Sequence, residues 1–254
     1  MLGDSPMTNL ARPAPSPAKA TVPLGVVAGN VRWSGTVLDD QILPVDRDQS
    51  LCGDGGRVTF RPLLVAKDQS MEGVWLVLKP RSPTPIPANR SLMPQRAHIR
   101  IERCEFYPRG TVIEPGGLVL FEAVDRGAQD VTMISPSGRE QTVFLPAAHA
   151  RQSIRLHEPG TWTLRTPQRP WSWGQILVTK GYQVDKTDSR GNYRFMEIPT
   201  DTYDLLVWHP SIFMSPQKKH GLVVDYRLGP PLTLQKRVKV AGRRTEVVPV
   251  DLAR

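Results

Sequence analysis

The chain has almost no cysteine, no long apolar run and no helical periodicity, and each of these absences closes off a class of protein. Only Cys52 and Cys104 are present in 254 residues, and neither lies in a Cys-x-x-Cys pair. A structural zinc site, which needs four closely grouped soft ligands, is therefore not expected. No window approaches the apolar length that a membrane-spanning helix requires, so no span is expected. Twenty-five prolines and 20 glycines interrupt the sequence too often for long helices, and no segment repeats its apolar residues at helical spacing. An all-β chain follows.

Motifs of catalysis are missing as well. There is no Gly-x-Ser-x-Gly elbow, no phosphate-binding loop and no dinucleotide fingerprint. The paired carboxylates Asp39 and Asp40 fall in a polar turn, where solvation is their ordinary state. No catalytic residue is assigned, and the chain is not expected to be an enzyme. The first 26 residues, centred on Pro13-Ala-Pro-Ser-Pro17, read as a flexible tail without the apolar stretch of a secretory signal. Either the protein is not exported, or the sequence begins after a signal that was removed or mis-started.

What is abundant is positive charge, a net +9 with a pI near 9.9. The basic residues are scattered, with short pairs at Lys218-Lys219, Lys236-Arg237 and Arg243-Arg244. No basic run is interleaved with stacking aromatics, so nucleic acid is not the expected partner. A solvated basic surface and an acidic partner remain as the two readings. None of the five histidines shares metal-ligand spacing with another; His149 and His157, eight apart across a turn, are the pair that neighbouring strands could bring together. His209, in Trp208-His-Pro210, reads as a structural histidine.

From Val27 onward, short apolar runs alternate with turn residues. Arg57-Val-Thr-Phe60 has strand periodicity, and Val74-Trp-Leu-Val-Leu78 is an unbroken run suited to a strand covered on both faces. Pro80 to Pro94 then holds five prolines and reads as a linker or long loop. Between His98 and Thr179 eight strand-like runs are divided by Glu114-Pro-Gly-Gly117, Ser135-Pro-Ser-Gly138 and Glu158-Pro-Gly160, the spacing of a β-sandwich. Further strands are expected at Tyr193–Phe195, Thr202–Trp208, Gly221–Tyr226, Leu232–Val240 and Thr245–Leu252.

Two families are resembled by different parts of this pattern. Thr187-Asp-Ser-Arg-Gly-Asn-Tyr-Arg-Phe195, followed by Ile198-Pro199 and Tyr203-x-Leu205, resembles the signature of transthyretin-like, carboxypeptidase-regulatory-like domains. Gly29 to Gly35 and Glu72 to Leu78 supply that family's opening strands, and Asp201 stands where the family has glycine. Phe106-Tyr-Pro108, Ile113-x-Pro-Gly116, Val119-x-Phe121 and Glu158-Pro-Gly160-x-Trp162 resemble a cupredoxin of the plastocyanin-like or methylamine-utilisation-like type. The resemblance implies a cupredoxin-like Greek-key sandwich over residues 95–181, inserted in a transthyretin-like sandwich made of residues 27–90 and 183–254.

The cupredoxin resemblance also implies where copper ligands would stand. Counting back without gaps from Ile176-Leu-Val178, the positions of the family's cysteine, histidine and methionine fall on Thr166, Arg169 and Ser172, in a loop, and the first histidine's on Gln129. Pro170-Trp171, a pair that commonly follows the loop histidine, is retained. Blue copper requires a thiolate and two imidazoles, so all four positions read as vacated. No cofactor is expected.

Trp162, Trp171 and Trp173 cluster around that loop, where they either offer a ligand-binding surface or fill the space of the lost metal. Two cysteines form one disulfide in an oxidising compartment and remain buried thiols in the cytosol. The family's cysteine placement implies the bridge, Cys52 to Cys104, which would tie insert to host. The reading is a non-catalytic binding or structural module, secreted or periplasmic by resemblance, whose partner is a protein or polysaccharide. Its rivals are a copper electron carrier with atypical ligands and a carbohydrate-binding, hydrolase-accessory module.

Overall fold

The computed structural model describes residues 23–45, 48–52, 56–82 and 92–253. Most of the expected tail and of the proline-rich linker lies outside these residues. Among the described residues there are strands and no helix, hence none long and apolar enough to cross a membrane.

The leading part contributes β1 (Leu24–Trp33), β2 (Gln41–Pro44), β3 (Arg57–Phe60), β4 (Leu64–Val65), β5 (Met71–Glu72) and β6 (Trp75–Pro80). The middle contributes β7 (Arg96–Glu102), β8 (Glu105–Tyr107), β9 (Gly110–Ile113), β10 (Gly117–Ala123), β11 (Gln129–Ile134), β12 (Glu140–Leu145), β13 (Arg151–Leu156), β14 (Gly160–Thr166) and β15 (Arg169–Val178). The last part adds β16 (Gln183–Lys186), β17 (Asn192–Pro199), β18 (Asp201–His209), β19 (Met214–Lys219), β20 (Leu222–Leu228), β21 (Leu232–Val240), β22 (Thr245–Val247) and β23 (Val250–Leu252). β1 begins inside the stretch read as tail, because Leu24 and Gly25 already pair with Pro199 and Ile198.

Strands from both ends of the chain share two sheets. One has the order β17-β1-β22, with β23 also on β1, and the other β16-β6-β18-β21. Alternation puts Val27, Val31 and Trp33 of β1 inward against Leu76 and Leu78 of β6 and Tyr203, Leu205 and Val207 of β18. We call this the split sandwich. The middle strands form β13-β10-β7-β8 and β12-β11-β14-β15-β9, enclosing Ile99, Phe121, Val131, Met133, Trp162, Leu164 and Ile176. This is the central sandwich.

β6 is covered on both faces, as an unbroken apolar run requires. Leu76 and Leu78 enter the split core, while Val77 faces Val112 and Leu177 of the central sandwich together with Trp208. A second seam forms where β2, β3 and the segment behind them fold over one end of the central sandwich. There Leu43, Val45, Cys52, Val58 and Phe60 pack with Cys104, Trp171, Trp173 and Met214.

Candidate functional site

The end of the central sandwich under this seam carries the four positions at which the cupredoxin resemblance would place copper ligands. The first correction concerns its loop. Residues 166–172 are not an open loop: Thr166 and Arg169 pair directly, and β15 begins at Arg169. Pro167 and Gln168 form the tip of a tight hairpin, and the Thr166 hydroxyl donates to the Arg169 carbonyl at 3.1 Å. The pairing shifts between Arg165 and Thr166, so Pro170 to Ser172 bulge from the ladder. Gln168 donates to Asp130 at 2.8 Å, fixing the start of β11, and hence Gln129, beside the hairpin.

Gln129, Thr166, Arg169 and Ser172 are all buried. Their chemistry does not fit copper. Three offer amide or hydroxyl oxygens, which are hard donors, and the guanidinium of Arg169 stays protonated and repels a cation. Arg169 is instead paired with Asp48 of the covering segment, Nη2 to Oδ2 at 3.1 Å. Among the described residues no three His, Cys, Asp or Glu side chains converge to hold a metal. His149 and His157 flank β13, whose six residues span about 20 Å at strand rise, so the strand holds them apart and the turn expected to bring them together does not exist.

The cover is fastened covalently. Cys52 and Cys104 form a disulfide with Cα atoms 5.2 Å apart. Cys104 reaches that place through a turn that the sequence reading missed. Arg103 and Cys104 have φ of 52° and 66°, the left-handed pair of a tight β7–β8 hairpin, which is costly without glycine. Buried Asp125 supports it by accepting both amides, Arg103 N–H and Cys104 N–H, each at 2.7 Å. An aspartate two residues past a strand end was the only local signal.

The tryptophans are corrected too. Trp162, Trp171 and Trp173 are 5%, 3% and 4% exposed, which leaves no ring face for a sugar or partner to stack on. Trp162 lies in the central core and donates to the Glu158 carbonyl at 3.0 Å. Trp173 packs edge-on to Phe60, with centroids 5.4 Å apart, and Arg109 covers the same Phe60 ring. Only Trp171 and Trp173 pack in the seam over the hairpin end; Trp162 does not join them.

The hairpin end also holds buried polar atoms. Both amide atoms of Gln129, Ser172 Oγ, Arg169 Nε and Trp171 Nε1 are buried without a hydrogen-bond partner among the described residues. Each such atom costs about 1–3 kcal/mol. Elsewhere on the central sandwich Glu122 takes both Arg151 donors on one oxygen and His98 on the other. The Arg151 hydrogen bonds hold its carboxyl below the usual range. At the seam between sandwiches His209 bonds the Pro210 carbonyl through Nδ1, and burial lowers its pKa to about 4, so it is neutral at physiological pH.

No protein-family model matches the sequence, and no curated protein matches it either. Solved cupredoxins resemble part of the structure. A purple cupredoxin from Nitrosopumilus maritimus aligns at 20% identity and TM-score 0.29, over 33% of this chain and 99% of its own. A plastocyanin from Dryopteris crassirhizoma aligns at 17% identity and TM-score 0.28, over 33% and 100%. A copper-containing nitrite reductase from Thermus scotoductus aligns at 23% identity and TM-score 0.30, over 39% and 25%.

Proposed function

We propose that the chain is a non-catalytic, extracytoplasmic binding or structural module, in which a cupredoxin-like sandwich has exchanged its metal for a closure made of protein. In this reading the split sandwich is a transthyretin-like, carboxypeptidase-regulatory-like host. One observation carries the proposal: the buried Arg169 guanidinium at the hairpin end is paired with Asp48 of a host segment that the Cys52–Cys104 bridge fastens in place. A cation there would have to displace that pair and would find no thiolate. The disulfide further supports an oxidising compartment.

The test is isothermal titration with Cu(II) and with Cu(I), together with melting in the presence and absence of a chelator. No stoichiometric copper site and an unchanged melting temperature are expected. A single tight site lost in Gln129→Ala or Thr166→Ala, or an intense blue absorption on loading, would restore the electron-carrier reading.

A further inference from the structure

The registers of the β16-β6-β18-β21 sheet fix which of its side chains share the face turned away from the split core. Successive residues of a strand point to opposite faces. Leu78, Tyr203, Leu205, Val238 and Val240 enter the core, so Lys79, Thr202, Asp204, Arg237 and Lys239, which alternate with them, stand on the outer face. One row across three strands reads Lys79, Asp204, Arg237. The next reads Arg81, Thr202, Lys239, because Arg81 N–H donates to the Thr202 carbonyl at 3.2 Å and Thr202 lies opposite Lys239. At ordinary strand spacing and rise these four cations fall within about 10 Å by 7 Å.

A single carboxylate stands among them. Asp204 is held by Arg81 Nη1 at 3.2 Å, while Lys79, Arg237 and Lys239 form no ion pair among the described residues. By alternation Asp201 belongs with Tyr203 to the other face, where Ser82 Oγ donates to it at 3.5 Å. Lys79 is half-buried, and desolvation holds its pKa below the ordinary lysine value although Asp204 pulls it upward. A cation so placed gains from a further anion. Arginines elsewhere are matched, Arg100 to Glu102, Arg139 to Glu158, Arg151 to Glu122 and Arg165 to Glu140. The Lys236-Arg237 pair is divided by the same alternation: Lys236 donates to the Pro249 carbonyl at 2.6 Å, and Arg237 is left exposed on the outer face.

The chemistry of this face also rules partners out. No aromatic ring stands in the two rows, so a nucleobase has nothing to stack on. Thr233 and Gln235 continue the outer column of β21 with exposed polar side chains, which gives an apolar chain nothing to bury. β6 and β18 are paired along both edges, and Lys236, Arg237 and Lys239 guard β21, so a peptide strand has no edge to extend. A polymer recognised through its charges alone is what fits. A pyranose chain is stiff and loses little freedom when laid across a sheet, whereas a flexible acidic peptide without main-chain partners loses much. Three unmatched cations spread over two rows suit one charge per sugar ring.

We infer that the outer face of β6, β18 and β21 binds a polyuronate, an acidic polysaccharide whose carboxylates meet Lys79, Arg237 and Lys239. The inference rests on the reading of the chain as a binding module and names the partner's chemistry.

The full chain would be titrated by calorimetry at low salt with an alginate hexasaccharide, with neutral maltohexaose and with hexaglutamate. The alginate should bind, the neutral sugar should not, and hexaglutamate should bind about threefold or more weaker, the cost of its flexibility. Arg237→Ser with Lys239→Ser, checked for an unchanged melting temperature, should weaken alginate binding by about tenfold, the size of two exposed charge contacts. Lys218→Ser with Lys219→Ser removes the same charge from the β19–β20 ribbon and should change it by less than about twofold. Absence of alginate binding, an equal loss in the two double variants, or hexaglutamate binding as tightly as alginate would overturn the inference. None of these outcomes touches the copper titration, which reads the buried hairpin end, so the two readings fail separately.

Discussion

Two turns of this protein, residues 187–193 and residues 166–173, are built on opposite principles. At the first, nearly every polar group has a local or adjacent partner. The Thr187 hydroxyl donates to the Met71 carbonyl at 2.7 Å and accepts from Val74 N–H at 2.9 Å. The Asp188 carboxylate accepts from the amides of Arg190 and Asn192. The Asn192 amide bond, with that of Arg190, holds its carboxyl below the ordinary range. Gly191 has φ of 73°, and a Cβ there would meet the Val31 carbonyl at 2.6 Å, so the turn requires glycine. At the second turn Arg169, Trp171 and Ser172, with Gln129 beside them, keep atoms unpartnered among the described residues, and beyond the Thr166 and Gln168 side-chain bonds it is held by Asp48 on Arg169 and by the cover that Cys52 fastens. A turn that satisfies itself can be stable where it stands. One that does not must be held shut from elsewhere.

If that contrast is right, the largest effect belongs to the fastening. Replacing Cys52 and Cys104 together by alanine opens a loop with sequence separation 52. It should cost about 4 kcal/mol in urea unfolding by the chain-entropy relation. A red shift of tryptophan emission should accompany it as Trp171 and Trp173 lose their cover. A double variant as stable as the parent would mean that packing alone closes the hairpin end.

The next effect tests the self-satisfied turn. Thr187→Val keeps the shape but strands Val74 N–H and the Met71 carbonyl, and should lose about 2–3 kcal/mol in the same assay. A loss below about 0.5 kcal/mol, the size of an ordinary surface change, would remove the distinction between the turns.

The smallest effect has the opposite sign. Gln129→Leu replaces an amide whose two polar atoms have no partner among the described residues by an apolar group of similar size. It should leave stability unchanged or raise it by about 1 kcal/mol. A drop of more than about 2 kcal/mol would show that the amide is hydrogen-bonded in solution.

The same contrast explains what could be read from the sequence. Tyr193, Phe195, Tyr203 and Leu205 were legible as inward positions because alternation and the Asp-x-x-Gly turn are local, and all four are buried. β6 was legible as a doubly covered strand because three successive apolar residues admit few other placements. The early start of β15 was not legible. Pro167, Pro170 and Ser172 look like loop residues, and only Asp48, 121 positions before Arg169, shows that the strand is held. β19 was missed because Pro216 argues against a strand, and its place on a ribbon edge is what makes that proline tolerable. The tryptophans were seen as a cluster, but Trp162 lies in the central core, and the burial of Trp171 and Trp173 depends on β2 and β3, more than 100 residues earlier.

The central sandwich leaves and re-enters the rest of the chain at one point. Leu78 of β6 lies opposite Gln183 of β16, Tyr182 N–H donates to the Leu78 carbonyl, and Leu92 bridges to Gln183. To the sheet that β6 and β16 share, everything between them occupies the place of a hairpin loop. Closing a loop costs free energy only as the logarithm of its length, about 0.6 kcal/mol for each doubling. In genealogical terms, a lineage holding the split sandwich alone could have accepted a whole second fold at this corner without re-registering a strand.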